Sequence, residues 1–287
     1  MKAFLHLALT LIGRLPLRLI HAVSAGIGAL LWRLPNRQKQ LTELHLRLCL
    51  PELSAERRRE VARRSLVHMV CAILEAPALW FGPEARLRRA LEDAAAARQL
   101  RELAARGQGV IWLCPHIGAW ELAGLFCSAH GAMTSLYKPQ KGHFEALVLE
   151  GRTRLGATLV PTTAGGVKHL LAALRRREMI GILPDHDPPR GSGVFAPLFG
   201  IPAHTTELVT KLAARSGAPV WYCIAERRPG GRFRLHLLPA PEQIADPDTG
   251  VAALNRSIED VIRRWPDQYW WSYKRYRRRP PRAERIY

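Results

Sequence analysis

The chain has 287 residues, of which 48% are apolar, so it is long enough to bury a substantial core in one large domain or two small ones. Its 43 Lys and Arg against 24 Asp and Glu leave a net charge of +19, which indicates an anionic partner: nucleic acid, an acidic membrane surface or a phosphorylated substrate. The five cysteines are widely spaced, without a C-x-x-C pair or a histidine at ligand spacing, which argues against a disulfide scaffold and predicts reduced thiols in a cytosol-facing protein.

The first segment, residues 4–34, is apolar with few charges. Its leucines and isoleucines cover most of a helix circumference, which favours an anchor over an ordinary buried helix. Arg14 and Arg18 interrupt the run on one helix face, and no small-residue cleavage site follows as it would in a signal peptide. We therefore expect residues 1–34 to form a membrane-anchoring helix, either interfacial or a tilted span whose arginines snorkel.

Residues 35–107 are predicted to be a helical scaffold, with Ser54 as one N-cap. From residue 108, short apolar runs alternate with helical stretches. This rhythm predicts an α/β core over residues 108–287, with a central, mostly parallel sheet flanked by helices and a basic aromatic tail. Strands are predicted at 110–114, 133–137, 158–160, 179–183, 220–226 and 233–238, and helices at 117–128, 143–154, 166–177, 205–215 and 251–264.

His116 and Glu121 form the first candidate site. His116 follows the predicted strand that ends at Cys114, and ligands of open α/β sheets bind at such strand ends. Residues five apart on one helix point roughly 140° apart, so the pair meets only if His116 lies in the turn before the helix, which Pro115 permits. An imidazole held by a carboxylate is a suitable general base. For an isolated H-x-x-x-x-E, a histidine that caps a helix and an unrelated solvent-facing glutamate are the favoured interpretation, so the surrounding motifs decide.

Two further groups lie near predicted strand ends. Arg152 and Arg154 end the helix after Lys138-Pro-Gln-Lys, and they are interpreted either as phosphate ligands or as a solvated helix end favoured by the helix dipole. Asp185-His186-Asp187 follows the strand predicted at 179–183. Its residue types suit a metal ion, but no spacing demands one, so a structural or substrate-positioning loop is the stronger interpretation.

Several motifs occur in order along the chain. They are His116-Ile-Gly-Ala-Trp-Glu121, Lys138-Pro-Gln, Gly151-Arg-Thr-Arg-Leu-Gly156, Pro184-Asp-His-Asp187, Val194-Phe-Ala-Pro-Leu-Phe-Gly200 and Pro266-Asp-Gln-Tyr-Trp-Trp. Each is loose alone, but together the sequence resembles the late acyltransferases of lipid A biosynthesis, the lauroyl and myristoyl transferases of the lysophospholipid acyltransferase superfamily. The similarity extends from the N-terminal helix to about Arg282, and H-x-x-x-x-E is the form typical of this branch.

The resemblance implies an enzyme of the cell inner membrane, with its catalytic domain facing the cytoplasm. It would move a fatty acyl chain from an acyl carrier protein thioester to a hydroxyl of a lipid A precursor. A lipid hydroxyl is nearly unionised at pH 7, so His116 is expected to act as general base and Glu121 to fix its tautomer. No metal or organic cofactor is implied. The expected substrate-binding residues, for phosphate, developing charge or polar groups, are Arg154, Arg152, Asp187, Asp185 and Lys138.

Two other functions stay open from the sequence. One is the same chemistry on a lysophospholipid or another lipid. The other is a non-catalytic protein that binds acidic membrane or nucleic acid through its Arg-rich tail and aromatics. A binding module gives no reason for the set of His116, Glu121, Arg154 and Asp187, so we predict an enzyme and no nucleic-acid partner. The tail is expected to be a solvated, membrane-facing surface that recruits the carrier protein, the inner leaflet or both.

Overall fold

A computed structural model describes residues 2–139 and 142–287. Gln140 and Lys141, which belong to the segment after Lys138, lie outside the described residues. Residues 35–107 are helical, as predicted. The helices before the sheet are α1 (Lys2–Arg14), α2 (Leu17–Arg33), α3 (Arg37–Cys49), α4 (Ala55–Phe81), α5 (Glu84–Leu91) and α6 (Ala94–Ala105).

The second part of the chain confirms the α/β class. Its elements are β1 (Val110–Leu113), α7 (Trp120–Ala129), β2 (Met133–Tyr137), α8 (His143–Thr153), β3 (Thr158–Pro161), α9 (Ala164–Arg175), β4 (Met179–Ile182), β5 (Gly193–Leu198), β6 (Ile201–Thr206), α10 (Leu208–Ser216), β7 (Val220–Arg228), β8 (Arg232–Pro239) and α11 (Gly250–Arg264). Six strands form one sheet in the order β3-β2-β4-β1-β7-β8. Neighbours are parallel except β7 and β8, which are antiparallel.

Both faces of this sheet are covered by helices. In β1, Val110 and Trp112 point into one core while Ile111 and Leu113 point into the other, as the period of two in a strand requires. The C-terminal half of α4 packs with α5, α6 and α7 on the first face, and α9, α10 and α11 pack on the second. Because both faces are buried, the open positions for ligands lie at the ends of the strands.

The N-terminal segment contains two helices rather than the single helix predicted. Proline at position 16 lacks an N–H donor, and the chain bends by 104° between α1 and α2. Ile20, Ser24 and Gly28 of α2 are buried against the protein. A long apolar face stays exposed on the two helices, formed by Phe4, Leu7, Leu11, Leu15, Leu19, Val23, Ile27, Leu30 and Leu34.

By length and composition, α4 is the one helix of the described chain that could cross a membrane by itself. In α4, however, 67% of the apolar window is buried inside the protein, as in the core helix of a globular domain. The bent pair of α1 and α2 meets the same criteria only when it is counted as one broken span.

The sequence patterns missed the antiparallel hairpin of β5 and β6, which lies outside the main sheet. Pro197 and Pro202 pair across it and mask the strand pattern, because proline is confined to strand edges and bulges. The helix predicted from residue 205 therefore begins at Leu208. Asn255 of α11 hydrogen bonds both strands of the hairpin, and this contact holds the hairpin against the core.

A buried ion pair joins the helical part of the chain to the sheet. Arg227 of β7 donates from Nε to Oε1 of Glu75 in α4 at 3.0 Å and from Nη2 to the same oxygen at 2.5 Å. His21 of α2 contacts the same carboxylate at 3.1 Å. Breaking a buried pair by removing one partner costs about 3–5 kcal/mol, so these contacts fix α2 and α4 relative to β7.

Candidate active site

The site forms where β1 and β4 end side by side. His116 follows β1 and Asp185 follows β4, and these strands are parallel neighbours, so their C-terminal ends lie at the same edge of the sheet. The His116 Nδ1 lies 3.0 Å from Asp185 Oδ1, and the His116 backbone N–H donates to Oδ2 at 3.1 Å. Asp185 is fully buried and the His116 side chain is 12% exposed.

Asp185 determines which ring nitrogen of His116 is available. Burial disfavours the ionised carboxyl, but the charge and hydrogen bonds of His116 outweigh burial and hold the pKa of Asp185 well below its usual range. An ionised carboxylate only accepts hydrogen bonds, so Nδ1 carries the proton and Nε2 carries the lone pair. Within the described residues no side chain hydrogen bonds Nε2. The histidine is therefore held in the form that a general base requires.

The turn that carries His116 is fixed by its neighbours. Gly118 has φ of +59°, and a β-carbon there would lie 2.2 Å from the Ala225 carbonyl oxygen of β7. The Gly118 N–H donates to the Gln268 carbonyl, and the Trp270 N–H donates to the His116 carbonyl. Glycine is required here both for the left-handed backbone and for the close approach to β7.

Aromatic rings surround His116. The Trp120 ring centroid lies 5.0 Å from that of His116, and the Trp270 ring meets His116 edge-on at 6.3 Å. His186 stacks flat on the His116 ring at 3.6 Å, with 4° between the ring planes. The C-terminal aromatic segment therefore forms one wall of the site.

The same rings argue against a metal ion at this position. His116, Asp185 and His186 offer donor atoms that all lie within 4.8 Å of one another. However, imidazole binds a metal with a lone pair that lies in the ring plane, at about 2.0–2.1 Å. The lone pairs of His116 and His186 lie in two separate, nearly parallel ring planes, so they do not converge on one ion.

A second charged pair lies beside this site. Arg152, in the last turn of α8, donates from Nε to Glu121 Oε2 at 2.9 Å and from Nη2 to Oε1 at 2.5 Å. The Trp80 indole N–H also donates to Glu121, at 3.2 Å. This two-pronged geometry suits a guanidinium and a carboxylate.

An apolar pocket opens next to the second pair. The space between its walls, including the open region at its mouth, is about 530 Å³. Glu121 and Arg152 lie on its wall together with Trp120, whose ring also contacts His116. The largest apolar side chains of the wall are Trp120, Leu125, Met133, Leu136, Leu159, Ile182 and Leu183.

Sequence comparison assigns the chain to a family. The model of the bacterial lipid A biosynthesis acyltransferases matches residues 2–278. The chain belongs to this family. It is 29% identical over 278 residues to the lipid A biosynthesis lauroyltransferase of Escherichia coli, covering 95% of this chain and 90% of that protein. The lipid A biosynthesis palmitoleoyltransferase of Escherichia coli is 26% identical, covering 96% and 90%, respectively. A Haemophilus influenzae lipid A biosynthesis acyltransferase is 24% identical, covering 92% and 83%.

In this acyltransferase, the predicted pairing of His116 with Glu121 is wrong. Nδ1 of His116 is bound to Asp185, and Glu121 is bound to Arg152 and Trp80. His116 does lie in the turn before α7, as expected, but the helix begins at Trp120. Glu121 thus lies in the first helical turn, from which it reaches α8. The aspartate that orients the histidine comes from a distant part of the chain.

Arg154 does not have the predicted role of phosphate ligand in this structure. Its Nη1 donates to the carbonyls of Leu79 and Trp80, and its Nη2 donates to that of Gly82. These are carbonyls at the C-terminal end of α4, where the backbone lacks helical partners. Arg154 therefore caps α4, while Arg152 faces the pocket. Lys138, the remaining predicted cation, follows β2 and is exposed.

Asp187 also differs from its prediction as a substrate ligand, because its carboxylate is fully buried in contacts with the protein. It contacts His204 Nδ1 at 2.8 Å, Arg277 Nε at 2.5 Å and Arg278 Nη1 at 3.2 Å. Arg279 donates to the Pro202 carbonyl. The basic tail is therefore packed onto the loop after β4 and the hairpin, rather than forming a purely solvated surface, because a buried carboxylate needs cations near it.

Sequence reasoning missed the contributions of Trp80, Trp270 and Tyr273 to the site, and it singled out His186 only as part of the Asp185-His186-Asp187 loop. For Trp270 and Tyr273, the sequence signal was the dense aromatic run from residue 269 to residue 273, which was interpreted as part of a membrane-facing tail. An isolated β-bridge between Ile117 and Tyr269 joins this run to the turn of His116. Ile117 and Tyr269 are far apart in the sequence, so only the folded chain shows that they are in contact.

Proposed function

We propose that this protein moves a fatty acyl chain from an acyl carrier protein thioester to a hydroxyl of a lipid A precursor, with His116 as general base. The observation that carries the proposal is the His116–Asp185 pair, whose imidazole contacts Trp120 of the pocket wall. Family membership supports the reaction class, and the geometry supports the assignment of the base.

The proton path follows from the tautomer of His116. As the acceptor hydroxyl oxygen attacks the thioester carbonyl carbon, Nε2 takes the hydroxyl proton and the buried Asp185 stabilises the resulting imidazolium. The C–S bond then breaks, an ester forms, and Nε2 returns its proton to the leaving thiolate of the carrier. Atoms and charges balance without a metal or another cofactor.

Direct transfer is favoured over an acyl-enzyme. A thioester is already activated, so no covalent intermediate is needed. The nearest thiol, Cys114, is buried, and its hydrogen bond with Cys223 together with burial raises its pKa well above the usual value. A thiol held in its neutral form is a poor nucleophile.

The apolar pocket is proposed to hold the acyl chain. It is lined by hydrocarbon side chains, and its wall includes Trp120, which contacts the base. Glu121 and Arg152 lie on the wall of the same pocket, so an acyl chain bound there would pass beside them. The Arg152 guanidinium, oriented by Glu121, is proposed to hold the developing negative charge or a phosphate of the acceptor.

The site is proposed to work at the cell inner membrane, with the catalytic domain facing the cytoplasm. The exposed apolar face of α1 and α2 supports residues 1–34 as an interfacial anchor, because neither helix spans a bilayer alone. Residues 35–107 would be the scaffold and residues 108–287 the catalytic core. The net charge of +19 suits an acidic carrier protein and a phosphorylated lipid.

The test is a transfer assay with purified full-length protein, acyl carrier protein thioester and a lipid A precursor with a free hydroxyl, with a lysophospholipid as the alternative acceptor. His116→Gln should lower kcat by about 10²- to 10⁴-fold. His169→Gln, a change at an exposed histidine of α9, is the matched control and should leave the rate unchanged. Full activity of His116→Gln would refute the base assignment, and transfer to the lysophospholipid alone would refute the acceptor.

A further inference from the structure

His186 has no place in the proton path described above, yet its ring is held between two other rings. It stacks on His116 at 3.6 Å with 4° between the planes, and on Tyr273 at 3.7 Å with 11° between the planes. We call His116, His186 and Tyr273 the stacked column. Its three members come from three separate regions of the chain: the turn after β1, the loop after β4 and the C-terminal aromatic segment.

Stacking alone holds the His186 ring. Its Nε2 is buried without a hydrogen-bond partner, and no hydrogen bond joins either ring nitrogen to the described residues. A buried polar atom without a partner is unfavourable by about 1–3 kcal/mol. The position of the His186 ring therefore has to benefit the rings stacked on it, in a way that offsets this cost.

The two ends of the column are anchored. Asp185 holds His116 through Nδ1 and the backbone N–H, and the Asp187 N–H donates to the Tyr273 hydroxyl oxygen at 3.1 Å. Asp185, His186 and Asp187 are consecutive residues of one loop. In this loop Asp185 orients the His116 imidazole, His186 covers one face of it, and the Asp187 N–H positions the Tyr273 ring behind His186. A hydrogen bond to Nδ1 alone still lets the imidazole tilt about that contact. A flat ring packed on its face removes this freedom.

His186 is suited to this position because it stays neutral. Burial above all, together with the neighbouring His116, lowers the pKa of His186 to about 3. Arg275 and Arg277 also disfavour a positive charge on His186, whereas Asp185 favours one. When His116 gains its proton, it therefore faces an uncharged aromatic ring rather than a second cation.

We propose that His186 is a positioning residue, whose flat ring, backed by Tyr273, fixes the plane of His116 so that Nε2 stays directed at the acceptor hydroxyl. This inference rests on the proposed function of His116. It predicts that the shape of the residue at position 186 matters and that its nitrogens do not. Misplacement of a reacting group by about 1 Å is enough to lower a rate by about 10²-fold.

The experiment compares His186→Phe with His186→Leu in the full-length protein, using the transfer assay above. His186→Leu should lower kcat by about 10- to 100-fold, with KM for both substrates within about twofold of the wild type. His186→Phe, which keeps a flat ring, should stay within about threefold of the wild-type kcat. His169→Phe and His169→Leu on α9 are the matched controls and should behave alike.

Either of two results overturns the proposal: a wild-type kcat in His186→Leu, or a kcat in His186→Phe as low as in His186→Leu. If thermal unfolding shows that His186→Leu does not fold, Tyr273→Leu and Tyr273→Phe test the column from its other end. Tyr273→Leu should be slower than Tyr273→Phe, which keeps the flat ring and loses only the hydroxyl contact with the Asp187 N–H, and equal rates overturn the proposal. The wild type and His116→Gln are measured in parallel. Loss of transfer in His116→Gln upholds the proposed function whatever the result at position 186.

Discussion

Two charged pairs lie at the C-terminal edge of the sheet, and they differ in their surroundings. In the His116–Asp185 pair the carboxylate is fully buried, and the imidazole is enclosed by aromatic rings with one nitrogen unengaged. In the Glu121–Arg152 pair both side chains are partly exposed, by 11% and 30%, and both lie on the wall of the apolar pocket. The first pair suits proton transfer, and the second suits the recognition of charge next to a hydrocarbon chain.

The two pairs show that the acid closest in sequence to a histidine need not be its partner. Glu121 is five residues from His116, but the first turn of α7 directs it toward α8. Asp185 is 69 residues away, and the parallel pairing of β1 with β4 places it against the ring. We therefore expect substitutions in the two pairs to differ in effect, with losses at the His116–Asp185 pair exceeding those at the Glu121–Arg152 pair.

Asp185→Asn should have the largest effect. The amide can present an N–H to Nδ1 and favour the wrong tautomer of His116, and it no longer stabilises the imidazolium, so kcat should fall by about 10²- to 10⁴-fold. Steady-state kinetics in the transfer assay measure this loss. A fall in kcat of less than threefold would show that Asp185 does not orient the base.

Glu121→Gln should have a smaller effect of a different kind. The amide loses the ion pair with Arg152 and leaves that guanidinium free to move, so kcat/KM should fall by about 10- to 100-fold. Glu102→Gln, at an exposed position of α6, is the control. If Glu121→Gln proves as damaging as Asp185→Asn and equally insensitive to acceptor concentration, the two pairs do not have separate roles.

Gly124→Leu should alter the acyl chain rather than the rate of proton transfer. Gly124 lines the pocket, and a β-carbon there would meet no atom within 4 Å, so a leucine has room to enter the pocket. With mixed acyl donors, mass spectrometry of the products should show about a tenfold shift toward shorter chains, because each buried CH₂ contributes about 0.8 kcal/mol. Gly26→Leu, at an exposed helical glycine of α2, should leave the product distribution as in the wild type.

Because the pKa of Asp185 is lowered in the folded protein, the free energy of unfolding should fall as the pH is lowered. The folded state holds the pKa of Asp185 below that of an unfolded aspartate, so its stabilisation is present above about pH 4 and is lost as the pH falls below that value. Between pH 6 and pH 3, the wild type should lose about 1 kcal/mol more than Asp185→Asn in urea unfolding followed by tryptophan fluorescence. Equal losses would mean that Asp185 is not ionised in the folded protein.

Arg154→Ala should have the smallest effect on chemistry, although Arg154 lies only two residues from Arg152. Losing its hydrogen bonds to the end of α4 should lower the free energy of unfolding by about 1–3 kcal/mol, with kcat within about twofold of the wild type. Arg101→Ala, at an exposed arginine of α6, controls for the loss of positive charge. A large rise in KM for the lipid acceptor without a loss of stability would restore Arg154 as a phosphate ligand.

Much of the fold could be predicted from the sequence because short apolar runs and helical stretches alternate after residue 108. Each of the six strands of the main sheet was predicted within about two residues of its bounds, and the strand Met133–Tyr137 was predicted without error. The hairpin of β5 and β6 escaped because its prolines and glycines resemble a loop. The bend between α1 and α2 escaped because a continuous apolar composition masked the effect of Pro16.

The types of residue at the ends of the strands could be predicted from local patterns, because strand and helix periodicities are local properties of the chain. These patterns placed His116 after β1 and Asp185 after β4, but they could not establish that the two strands are neighbours. The partners became evident from the folded chain alone: Asp185 for His116, Arg152 for Glu121, and the backbone of α4 for Arg154. Strand order and helix packing depend on the burial of surfaces that lie far apart along the chain, and no local pattern records them.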